Sequence, residues 1–72
     1  MQLTQQSGFA LGAALAMHGL GRIALREHAF TEARRWLTLA AEAMIAIDAR
    51  VEADRTRRDL ADVFAEDAKG ES

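Results

Sequence analysis

"REHAFTEA", Arg26 to Ala33, is the stretch whose reading decides the fold. The 72-residue chain has no proline, and no glycine lies between Arg22 and Lys69. Any helix break there must come from other residues. Arg26 and His28 place cations where the free carbonyls of a helix C-terminus favour positive charge. Thr31 offers a hydroxyl that can accept from a free N–H in the first turn of a new helix. Glu32 follows where the helix dipole favours an acid. The stretch predicts a tight turn over Glu27–Phe30 joining two helices, a helical hairpin in the structural sense.

Downstream of the turn, Ala33, Leu37, Ala40, Met44, Ile47 and Val51 recur at spacings of four and three. That is an apolar seam at heptad period, widened on one side by Trp36 and Leu39. At Asp54 and Arg58 the seam fails, and it resumes out of phase as Leu60, Val63 and Phe64. Either the helix continues with a phase shift or a third helix begins near Asp48 to Arg57, and a break or bend is expected there. "DAKGES", Asp67 to Ser72, reads as a disordered polar tail. The domain reading is one small helical domain over 1–66.

Upstream, the first helix is expected from about Leu3 to Arg26. Its middle, "GFALGAALAMHGLG" from Gly8 to Gly21, is apolar nearly all round. Such a helix is usually buried on several sides, and so short a chain cannot surround it. The dense apolar run, Phe9 to Met17, is too short to span a bilayer, which needs ~20 residues. A secretory signal needs a basic start, and "MQLTQQSG" holds neither Lys nor Arg. Packing remains. Gly8, Gly12 and Ala16 are spaced by four and form a ridge of small residues that lets another backbone approach. Glycine costs a helix about 1 kcal/mol relative to alanine, so a close contact should offset it. That contact lies either within the monomer or against another molecule.

Composition sets the class. Half the residues are hydrophobic, largely alanine, the best helix former. The expected class is all-α: a helical hairpin with a third C-terminal helix or helix extension, assembled as a helical-bundle oligomer. Cysteine is absent, so disulfides and thiolate chemistry are excluded, and the expected location is cytoplasmic. A core this small supplies ~3–5 kcal/mol, so self-association, a partner or very regular helix packing must add to it. The net charge of −2 is uneven. Residues 1–36 hold four arginines against two glutamates, whereas residues 37–72 hold five basic and nine acidic groups.

Residues Met17 to Ala40 resemble a tetratricopeptide repeat, a helical hairpin of about 34 residues, over about residues 14–47. Leu20-Gly21 matches its Leu-Gly pair, Phe30 the aromatic at the turn, Glu32-Ala33 the acidic-alanine pair, and Ala40 a later small position. Met17, Ala24, Leu37 and Ile45 depart from the usual Trp, Tyr, Phe and Pro. The resemblance implies that Gly21 and Ala33 sit where the helices cross most closely, and that the unit serves as a protein-binding scaffold. It covers about half the chain once, with no second copy.

Little points to catalysis. His18 and His28 stand ten apart with no ligand cluster around them, so no metal is expected. Ser7 and Ser72 lie near the ends without a base and orienting group, and no phosphate-binding glycine loop is present. His18 reads as a packing histidine, and no cofactor or enzyme activity is expected. "RVEADRTRRD", Arg50 to Asp59, holds four arginines. Helical spacing pairs Arg50 with Asp54, Asp54 with Arg58, Arg55 with Asp59, and Arg58 with Asp62, giving a solvated charged face. Arg22, Arg26, Arg34 and Arg35 flank the hairpin turn as possible contacts for an anionic partner.

The expected function is a small, non-enzymatic protein–protein interaction module, an adaptor, chaperone-like protein or inhibitor, working as a homodimer. The hairpin is expected to bury Leu20, Ile23, Ala33, Leu37, Ala40 and Met44. The interface is expected at Gly8, Phe9, Leu11, Gly12, Leu15, Ala16, Trp36 and Leu39, with Ile45 adding apolar surface. The alternative is a small nucleic-acid-binding regulator using the arginines.

Overall fold

The structure, a computed structural model, describes the backbone of residues 2–71 and the side chains of residues 9–69. It is all-α: α1 runs Gln2–Arg26, α2 Phe30–Ala46 and α3 Arg50–Glu71. The middle helix packs against both neighbours, while α1 and α3 barely touch. The Cα trace spans 52 × 18 × 12 Å.

Both connections use one device. After α1, the His28 N–H donates to the Leu25 carbonyl (3.0 Å) and the Ala29 N–H to the Ala24 carbonyl (2.8 Å). After α2, Asp48 donates to Ile45 (3.0 Å) and Ala49 to Met44 (2.8 Å). These paired bonds form the Schellman motif, which satisfies the last carbonyls of a helix. The motif needs a left-handed residue, and His28 (φ 61°) and Asp48 (φ 60°) supply it. His and Asp enter that region more readily than most side chains. The next helix then starts at once: the Ala33 N–H donates to Ala29 O and the Ala53 N–H to Ala49 O, both at 2.9 Å. "HAFTEA" and "DARVEA", twenty residues apart, share the Ala and the Glu-Ala pair of this device.

The turn therefore falls at the expected place, but its chemistry differs. Ala29, not Thr31, caps α2, and no side chain bonds to the cap. Thr31 lies inside the first turn and is exposed. His28 closes α1 through its backbone, and its ring meets the edge of Phe30 at 5.7 Å between centroids. The apolar seam of α2 ends with the helix at Ala46, so Val51 opens α3 and is 62% exposed. Helix α3 continues through residues 67–71, the stretch whose polar composition suggests a tail.

The core forms two clusters along α2. Ala14, Ala40, Met44 and Ala53 meet near the second turn. Ala24, Ala33, Leu37 and Val63 meet near the first. Each cluster draws on all three helices, so neither hairpin alone completes a core. Alanine at the contacts keeps the backbones close, and Gly21 takes this furthest. A Cβ there would lie 2.6 Å from Leu37 Cγ and 3.3 Å from its backbone nitrogen. Thr56 is the one fully buried polar side chain among the described residues. Its hydroxyl lies 2.9 Å from the Glu52 carbonyl and 3.1 Å from Met44 Sδ, so its O–H always has an acceptor.

Candidate protein-binding face

Helix α1 has two faces of opposite fate. Ala14, Gly21 and Ala24 are buried against the other helices. On the opposite side, Phe9, Gly12, Ala13, Ala16, Gly19, Leu20 and Ile23 are all exposed. Phe9, Ala16 and Ile23 recur every seven residues, with Gly12 and Gly19 between them at heptad offset. No charged residue interrupts this outer stripe from Phe9 to Gly21. Phe9 is 79% exposed, Ile23 50% and Leu20 45%. A Cβ on Gly12 or on Gly19 would meet nothing within 4 Å.

The outer side of α3 is the reverse. Asp54, Arg55, Arg57, Arg58 and Asp62 are exposed and carry both signs, which suits contact with water. Helix α1 carries four large exposed apolar side chains, Phe9, Leu15, Leu20 and Ile23, while α2 carries Leu39 and Ile45 and α3 carries Val51 and Phe64. Contiguous apolar patches of this kind mark interaction sites.

The sequence-derived residues divide as follows. Phe9, Gly12, Leu15, Ala16 and Leu39 are exposed, whereas Leu11 and Trp36 are half-buried. The surroundings of Gly8 lie outside the described residues. The sequence pattern places Leu20 and Ile23 in the hairpin interior, and the structure turns both outward. The cause is the crossing at Gly21: with that Cα facing Leu37, its neighbours point away along the helix. The repeat of seven from Phe9 to Ile23 carried this signal, hidden because the whole segment is apolar.

The charged groups are also rearranged. Arg22, Arg26 and Arg35 are exposed, but Arg34 is held within the fold. Its guanidinium lies 3.6 Å from the Asp67 carboxylate and 5.7 Å from the centre of the Phe64 ring. This clamp fastens the last turns of α3 to α2. Arg50 pairs with Asp48 at 2.9 Å across the second turn rather than with Asp54. Asp59 accepts from His18 Nε2 at 2.5 Å, joining α1 to α3, rather than pairing with Arg55. His18 is thus engaged in packing, in line with its position on an apolar helix.

Among the described residues, no group of three His, Asp or Glu side chains is placed to hold a metal ion. A surface hollow of about 420 Å³ beside the second turn is lined by Asp48, Asp54, Arg50 and Arg57 with Ile45 and Ala53, and its charges balance. No described helix is long and apolar enough to cross a membrane. No family model, curated protein or solved structure matches the chain.

Proposed function

We propose that this chain is a small, non-enzymatic protein–protein interaction module, an adaptor, chaperone-like protein or inhibitor, that works through the outer face of α1 as a homodimer. The carrying observation is the exposure of Phe9, Leu20 and Ile23 on one uncharged stripe. Fully burying such a side chain stabilises a complex by roughly 1.5–3 kcal/mol; Phe9 realises little of that within the monomer, and Leu20 and Ile23 about half. The tetratricopeptide resemblance of the hairpin agrees with a binding scaffold. The nucleic-acid reading has weaker support, because Arg34 is engaged internally and the arginine run of α3, Arg55 to Arg58, is flanked by Asp54, Asp59 and Asp62.

Sedimentation of the 7.9 kDa chain, alone and in an extract of its native host, tests this reading. The wild type should run above its monomer mass in at least one condition. The double variant Phe9→Ser, Ile23→Ser should run as a monomer in both, with its helix content unchanged. A wild type that stays monomeric in both conditions would falsify the reading.

A further inference from the structure

Resting on that reading, we infer that the occupant of the α1 outer face is a second copy of this chain, packed antiparallel about a two-fold axis at Ala16. Three large exposed side chains, Phe9, Leu20 and Ile23, share the stripe with three small exposed residues, Gly12, Ala16 and Gly19. Their order is self-complementary. When Ala16 faces Ala16 of a second α1 running the other way, Leu20 falls opposite Gly12, and Phe9 opposite Ile23. Leu20 then meets a gap, Phe9 packs on Ile23, and Gly19 lies opposite Ala13. The open space over Gly12, where a Cβ would touch nothing within 4 Å, receives the leucine. A closed two-fold pair uses the same patch on both copies, which this stripe satisfies without any residue from α2 or α3.

Charge selects the direction. Arg22 and Arg26 are exposed near the C-terminal end of α1. A parallel pair would bring four arginines together at one end, where like charges repel. It would also set Gly12 against Gly12 and Gly19 against Gly19, leaving voids beside a Phe9–Phe9 clash of bulk. The antiparallel pair sends the arginines to opposite ends and sets Leu20 over Gly12. A lipid surface is a poorer occupant, because the glycines would add no buried area there.

The chain has no cysteine, so single engineered thiols report the register. A disulfide requires Cβ atoms about 3.5–4.5 Å apart. Ala16→Cys alone should oxidise to a covalent dimer. Phe9→Cys and Ile23→Cys should each stay uncoupled alone and couple when mixed. Gly12→Leu fills the gap that Leu20 needs, and should weaken self-association by about tenfold or more while leaving the monomer folded. A dimer in which Phe9→Cys couples to itself overturns this inference and leaves the interaction module standing. So does a chain that associates only in host extract, or that binds phospholipid vesicles as a monomer. A monomer in every condition overturns both.

Discussion

The Gly21 Cα faces Leu37 so closely that an added methyl would lie 2.6 Å from Leu37 Cγ and 2.7 Å from Cδ2. Leu37 is fully buried and its backbone nitrogen is 3.3 Å away, so neither partner has room to retreat. Gly21→Ala should therefore destabilise the fold by about 1–3 kcal/mol, despite alanine's better helix propensity. Gly19→Ala, two residues earlier in open space, should stabilise by up to about 1 kcal/mol. Urea titrations followed by circular dichroism compare the two; equal shifts would remove the crossing from Gly21.

The left-handed residues of the two turns make a second test. Glycine takes positive φ at no steric cost. Asp48→Gly should raise the melting temperature, corresponding to about 0.5–1 kcal/mol, although it loses the exposed pair with Arg50. Asp48→Val should lower it, because a β-branched residue is poorly tolerated there. A glycine variant that melts earlier would show that the Asp48 side chain matters more than its backbone angle.

His18 and Asp59 make a side-chain hydrogen bond between α1 and α3. His18→Ala and Asp59→Ala should each cost about 1–2 kcal/mol. The double variant should cost much less than the sum, since both partners of one bond are then gone. Additive losses in a double-mutant cycle would mean the contact contributes nothing as a pair.

Arg34 holds Asp67 and lies over Phe64. Arg34→Ala should release the end of α3, seen as faster amide hydrogen exchange over residues 64–69, with exchange at Thr56 and Ala53 unchanged. Global stability should fall by no more than about 1 kcal/mol. Uniform acceleration along α3 would argue against a local clamp.

Met44 is fully buried in the cluster near the second turn and receives the Thr56 hydroxyl. Met44→Ala should cost about 2–5 kcal/mol. Thr56→Val nearly preserves the side chain's shape and removes the donor, leaving Sδ, a weak acceptor; the change should stay within about 1 kcal/mol. Thermal melts rank the two, and a larger loss at Thr56 would reverse the assignment of the core to apolar packing.

Sequence alone determined the helical class. Alanine content, the absence of proline, and the 26–33 stretch placed the first turn within a residue of where it lies. The seam Ala33, Leu37, Ala40, Met44 marked the buried side of α2 correctly, because α2 has a polar side to contrast with it. The second turn was legible only as a region. Its residues lack glycine, and nothing local distinguishes an Asp that bends the chain from one that stays helical. The shared Ala and Glu-Ala of both turns identify it once one turn is known.

Tertiary structure alone decided which side of α1 faces inward. In a helix apolar all round, the repeat of seven from Phe9 to Ile23 does not say whether it faces in or out, so Leu20 and Ile23 are as plausible inside as Ala14 and Ala24. The choice was made by close approach: Gly21, Ala14 and Ala24 admit the backbone of α2, while larger side chains would hold it off. The same selection turned Phe9, Gly12, Ala16 and Ile23 outward together and produced the stripe on which the proposed function rests. Long-range pairs such as His18 with Asp59 and Arg34 with Asp67 were equally out of reach of sequence spacing, which finds partners within one helix and not between two.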